Sequence, residues 1–136
     1  MPKDILLIED ETVQAELVIR YLQAYRIANP IRVVQDGQQA LNHILTLNES
    51  AHPALILLDL NLPNLSGLEI LRRLREEEKT RPLKVVILTA SNDPLEQDES
   101  LLLGVVSYLR KPINIEELVT VLEKLGFAWQ ITDDSE

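Results

Sequence analysis

The chain contains no cysteine in its 136 residues, which rules out a disulfide framework and any thiolate metal site. It has no excess of positive charge either: 13 lysines and arginines stand against 22 acids, for a formal net charge of -9. General nucleic-acid binding needs a basic face to displace counterions, so this balance argues against it and is compatible with a cation-binding site. No apolar run approaches membrane-spanning length, and the N-terminal Met-Pro-Lys-Asp4 leads into a strand-like segment with no signal-peptide pattern. A soluble, cytoplasmic protein is expected. No repeat or low-complexity stretch occurs, and the length suits one domain and leaves no room for a second. The two histidines, His43 in a polar helix and His52 in a loop, read as solvated surface rather than as a ligand pair.

What is present is organised around residues 54–67, Ala-Leu-Ile-Leu-Leu-Asp-Leu-Asn-Leu-Pro-Asn-Leu-Ser-Gly. Residues 54 to 58 carry no polar side chain, as expected of a strand covered on both faces within a parallel sheet. Asp59 then leaves the strand at its carboxyl end, where open α/β sheets gather their ligands. A strand-end Asp that merely caps a turn has the same local signature, because Asp is a favoured turn residue. The choice depends on what the other strands end in.

Ile5 to Ile8 is a second apolar run that ends in acid, Glu9-Asp10-Glu11, and a helix follows from Thr12 to Tyr25. Ile31 to Val34 is a β-branched strand, after which Asp36-Gly37 opens a helix through Leu45. Ser66-Gly-Leu-Glu69 has the capping-box form and begins a helix expected to reach about Lys79. The fourth strand, Lys84 to Leu88, ends in Thr89-Ala90-Ser91, and Asp93-Pro-Leu-Glu96 starts a helix to about Leu103. The fifth strand, Val105 to Leu109, ends in Arg110-Lys111-Pro112. Asn114-Ile-Glu-Glu117 then opens a last helix closed by Gly126, followed by the apolar segment Phe127 to Ile131 and an acidic tail. Five β-α units with short connections predict right-handed crossovers in one parallel sheet, a doubly wound α/β domain.

In such a sheet Glu9, Asp10, Asp59, Thr89 and Lys111 all lie at one edge. Three carboxylates crowded together repel, raise one another's pKa values and cost stability unless a cation neutralises them. Mg²⁺ suits an oxygen-only site with few protein ligands, since it keeps positions for water and a phosphate. A hydroxyl and an ammonium opposite the acids would hold further phosphoryl oxygens. The pattern reads as phosphoryl transfer with Asp59 as nucleophile, giving an acyl phosphate. Each residue alone is more often a solvated loop residue; their joint placement at successive strand ends carries the argument.

At these residues the sequence resembles the receiver domain of two-component response regulators, over nearly the whole chain. The resemblance implies the flavodoxin-like fold with strand order 2-1-3-4-5 and a receiver domain over 1–131, with 132–136 a disordered tail. It implies phosphoacceptance by Asp59 from a sensor histidine kinase, and Mg²⁺ held by Asp10, Asp59 and the Asn61 backbone carbonyl, with Glu9 acting through a metal-bound water. It further implies Thr89 as switch hydroxyl, Tyr108 as switch aromatic, Lys111 as phosphate-binding lysine, and a cis Lys111–Pro112 bond. The first acid is Glu9 where Asp is commoner in that family, which changes reach by one methylene, and the loop Asn48 to Pro53 is longer than in the chemotaxis type. The loop Leu60 to Pro63, the Thr89-Ala-Ser91 ending and the aromatic tail look more narrowly like the single-domain regulators that partner cyanobacterial phytochromes. By that likeness the chain is a signalling switch, not an enzyme beyond self-phosphorylation from small acyl phosphates and self-dephosphorylation. With no output domain expected, it would act on an unknown downstream protein.

An alternative with the same nucleophile is a Mg²⁺-dependent phosphohydrolase of the haloacid dehalogenase class, but that class wants a second Asp where this chain has Asn61. A flavodoxin-like electron carrier fails because the loop after the first strand is acidic and has no flavin-phosphate cradle. Leu101-Leu-Leu103 and the segment Phe127 to Ile131 offer more apolar surface than one helix face buries. A homodimer through helix four, strand five, helix five and the Phe127/Trp129 tail is therefore expected, against the alternative that the tail folds back on its own domain.

Overall fold

In the computed structural model, which describes residues 3–127, five strands alternate with five α-helices: β1 Ile5–Ile8, α1 Thr12–Ala24, β2 Ile31–Val34, α2 Gly37–Thr46, β3 Leu55–Asp59, α3 Gly67–Glu76, β4 Val85–Thr89, α4 Pro94–Leu102, β5 Ser107–Arg110 and α5 Ile115–Lys124. All strand pairs are parallel and the sheet order is β2-β1-β3-β4-β5. The doubly wound expectation holds in both connectivity and order.

Strand side chains alternate between two apolar layers, as the two-residue period requires. Leu6, Ile8, Ile56, Leu58, Val85 and Ile87 pack beneath α2 and α3. Ile5, Leu7, Leu55, Leu57, Val86 and Leu88 pack beneath α1 and α5. Residues of β1, β3 and β4 are buried throughout, which is why these runs carry no polar side chain before their ends. α4 differs from the other helices: Ser100 is its one buried residue, while Leu95, Leu101 and Leu102 are exposed.

Four helices start on side-chain caps, with Asp36, Ser66, Asp93 and Asn114 each accepting from backbone N–H groups of the first turn. α1 has none. Two expected boundaries shift for identifiable reasons. α3 stops at Glu76 because its final carbonyls find side-chain donors: the Thr80 hydroxyl donates to Leu74 O at 2.6 Å and Arg81 Nε to Arg75 O at 3.0 Å. β5 begins at Ser107, not Val105: the end of α4 takes up Val105, and the Val106 N–H makes the first bond to β4, at Val85 O. Gly104 takes φ +77° there, and the Val105 N–H returns to Ser100 O.

His52, expected on solvated surface, is 6% exposed. A 3₁₀ turn at Glu49–Ala51 shortens the long connector, with the His52 N–H bonded to Glu49 O. His43 remains half-buried on α2. The Lys111–Pro112 bond is cis, as the resemblance implies. Phe127 packs against the layer beneath α5, and its N–H bonds to Leu122 O. This is the folded-back arrangement at that residue; Trp129 lies outside the described residues.

Candidate functional site

The carboxyl edge of the sheet brings most of the expected residues into one cleft of about 460 Å³, lined by Asp10, Glu11, Gln14, Asp59, Asn61, Ala90, Lys111 and Pro112. One carboxylate oxygen from each of Glu9, Asp10 and Asp59 lies within 4.8 Å of the others. The three acids converge because β1 and β3 are neighbours in register, with Ile8 opposite Leu58, so both strands release their acids at the same level.

Gly67 fixes the floor. A Cβ there would collide with the Asp59 carbonyl oxygen and stand 2.7 Å from Leu60 Cα, so only glycine lets the start of α3 lie against the end of β3. Its N–H bonds to Leu60 O at 3.0 Å. The sequence marks Gly67 as part of a capping box, but its close approach to Asp59 is a tertiary contact with no local signal. The loop is further ordered by the Asn61 N–H, which donates to Asp59 Oδ1 at 3.0 Å.

Lys111 reaches in from β5, donating to Glu9 Oε1 at 2.6 Å and standing 3.5 Å from Asp59 Oδ2. Glu9 is fully buried. Burial pushes its carboxyl up to about 7, and Asp59 adds to the rise while the Lys111 hydrogen bond opposes it. For Lys111, burial pulls the ammonium down, but the Glu9 and Asp59 carboxylates outweigh it and hold it above its ordinary value.

Thr89 and Tyr108 are not among the residues that line this cleft. Thr89 is fully buried, its hydroxyl accepts from the Ser91 N–H at 3.1 Å, and the cleft wall is formed by the next residue, Ala90. Tyr108 is half-buried against the layer under α2 and α3, and its buried hydroxyl has no hydrogen-bond partner. Burial raises its pKa, with the Glu96 carboxylate adding to the effect.

An acidic, lysine-bridged cleft at the carboxyl edge of a parallel α/β sheet is a place where a cation and an anionic group can be held together. Residues 5–123 match the response regulator receiver domain, and the chain belongs to that family: it is a receiver-domain response regulator of a two-component system, a signalling protein rather than a conventional enzyme. It is 33% identical over 131 residues to response regulator Rcp1 of Synechocystis, covering 94% of this chain and 89% of that one. It superimposes on the bacteriophytochrome response regulator RtBRR with a TM-score of 0.84 at 35% identity, covering 100% of this chain and 85% of the other. The Mn²⁺-bound form of Rcp1 matches with a TM-score of 0.78 at 32% identity, over 97% of this chain and 98% of that one. The likeness is to phytochrome-associated regulators, and the phosphohydrolase alternative is not favoured. No helix among the described residues is long and apolar enough to cross a membrane.

Proposed function

We propose that the chain accepts a phosphoryl group on Asp59 from a sensor histidine kinase and relays the change through its surface. The observation that carries this reading is the meeting of Asp59 with two further acids and one lysine: the acids within 4.8 Å, the ammonium 3.5 Å from Asp59 Oδ2. The donor set is all hard oxygen, which fits Mg²⁺ or Mn²⁺. Glu9, Asp10 and Asp59, with the Asn61 backbone carbonyl, are the groups that would hold the ion. When bound, it supplies charge neutralisation to the incoming phosphoryl oxygens.

An Asp59 carboxylate oxygen attacks phosphorus, a P–O bond forms and the P–N bond to the kinase histidine breaks; the nitrogen keeps the electron pair and takes up a proton. Lys111 is the cation placed to receive a phosphoryl oxygen, exchanging part of its bond to Glu9. Thr89 then draws toward the new group and Tyr108 turns, altering the face formed by α4, β5 and α5. Small acyl phosphates serve as donors in place of the kinase, and the acyl phosphate hydrolyses by itself. The cognate kinase is proposed to be a phytochrome, given the likeness to RtBRR, and the setting cytoplasmic, with a downstream protein as reader. The domain is proposed to span 1–131.

Exposed Leu95, Leu101 and Leu102 on α4 and Val106 just before β5 support a homodimer through α4, β5 and α5; Phe127 of the expected tail contact is packed against its own domain, and Trp129 lies outside the described residues. Sedimentation over a concentration range with and without an acyl-phosphate analogue tests this; a monomer at high micromolar concentration in both states excludes it. For the phosphoacceptor, incubation with Mg²⁺ and a small acyl phosphate should add one phosphate to the intact mass of wild type and none to Asp59→Asn. An undiminished adduct on Asp59→Asn would overturn the assignment.

A further inference from the structure

We infer that Gln35 is a positioning residue for the cation site. The turn that bears Glu9 and Asp10 is the one strand-to-helix junction among the described residues whose helix has no side-chain cap: Glu11 stands at the N-cap of α1 without a capping bond, whereas α2, α3, α4 and α5 are each capped by their own residue. Its last bond to the sheet is the Glu9 N–H to Val34 O at 3.1 Å. Beyond that point the turn has one bond of its own, the Glu11 N–H to Glu9 Oε2 at 3.3 Å, and the segment after β2 supplies the rest of the hold. Gln35, directly after β2, uses the two hydrogens of one amide nitrogen as a fork: Nε2 donates to Thr12 Oγ1 at 3.0 Å and to the Asp10 carbonyl oxygen at 3.4 Å.

The fork spans both sides of the missing cap, pinning the Asp10 backbone on one side and the first residue of α1 on the other. An acid whose carbonyl is pinned samples fewer orientations, so its carboxylate loses less entropy on ligation. Outer hydrogen bonds that orient ligating carboxylates typically change metal affinity about tenfold or more. Gln35 touches no reacting atom and is exposed, so its removal leaves the fold intact.

This inference rests on the cation-binding reading above. The test is calorimetric titration of Mg²⁺ into wild type, Gln35→Met, Thr12→Val and the double variant, with amide exchange of residues 10–13 measured in the metal-free proteins. Methionine keeps the length and apolar stem of glutamine and removes both donors. Gln35→Met is expected to weaken Mg²⁺ binding about tenfold, to raise exchange in that turn alone and to leave the EDTA-state melting temperature unchanged. Thr12→Val is expected to weaken binding less, and to add nothing in the Gln35→Met background, because the two share one bond. If wild type binds Mg²⁺ and Gln35→Met binds it within twofold of wild type, Gln35 is not a positioning residue and the site reading stands. If wild type binds neither Mg²⁺ nor Mn²⁺, the site reading falls and this inference falls with it.

Discussion

Lys111 Nζ lies 2.6 Å from Glu9 Oε1, joining the end of β5 to the end of β1 across the two strands between them in the sheet. One ammonium thereby offsets part of the charge of an acid that has no exposure to water, and it is the same ammonium proposed to meet the phosphoryl group. In the proposed phosphoacceptor role, a phosphoryl group on Asp59 would compete with Glu9 for this ammonium.

The burial of Glu9, only partly offset by Lys111, gives the metal-free protein a pH signature. The Glu9 carboxyl titrates near 7 when folded against 4.5 ordinarily, so the folded state binds this proton more tightly than the unfolded chain. Its contribution to stability is complete below about 4.5 and is lost as pH rises through about 7. The corresponding ceiling is about 3 kcal/mol. Lys111, raised above its ordinary 10.5, contributes constantly over this window. Denaturation in EDTA at pH 5 and pH 8 should show wild type losing roughly 1–3 kcal/mol more than Glu9→Gln; parallel losses would refute the coupling.

Asp10 should behave differently. Lys111 pairs with Glu9 and Asp59, which leaves Asp10 as the acid whose charge adds most to repulsion within the cluster. Asp10→Asn is expected to raise metal-free stability by about 1 kcal/mol, and saturating Mg²⁺ should narrow the gap by stabilising wild type. A less stable Asp10→Asn in EDTA would contradict this electrostatic account.

Gly67→Ala tests the floor of the cleft. The added Cβ meets the Asp59 carbonyl and Leu60 Cα, both backbone, so the helix start or the strand end must move. A loss of roughly 2–3 kcal/mol is expected, together with reduced phosphate uptake from a small acyl phosphate. An alanine variant with unchanged stability and full uptake would show that α3 can shift without disturbing Asp59.

Tyr108→Phe makes an inverse prediction. The Tyr108 hydroxyl and Glu96 Oε1 are both buried without a hydrogen-bond partner, and an unsatisfied buried polar atom costs stability. Deleting the hydroxyl should leave the unphosphorylated protein equally stable or more stable by about 1 kcal/mol. A clear loss of stability on urea titration would mean that the hydroxyl is already well bonded in solution.

Much of this was legible before folding. The apolar runs ending in Glu9-Asp10, Asp59 and Thr89 determined a parallel sheet with its chemistry at one edge, because an all-buried strand can carry polar side chains only where it ends. Asp36, Ser66, Asp93 and Asn114 announced four helix starts, since a cap bonds to N–H groups within three residues of itself. Contacts between distant residues were not legible. Glu9 and Lys111 are 102 positions apart, and whether Glu9 would face solvent, a cation or an ammonium depended on which strands stand between them. The burial of His52, the displacement of β5 to Ser107, the close approach of Gly67 to Asp59 and the reach of Gln35 to the uncapped turn have the same origin. Local sequence sets hydrogen bonds spanning a few residues and the period of burial, whereas each of these depends on where a second segment lies, and only the packed sheet and helices decide that.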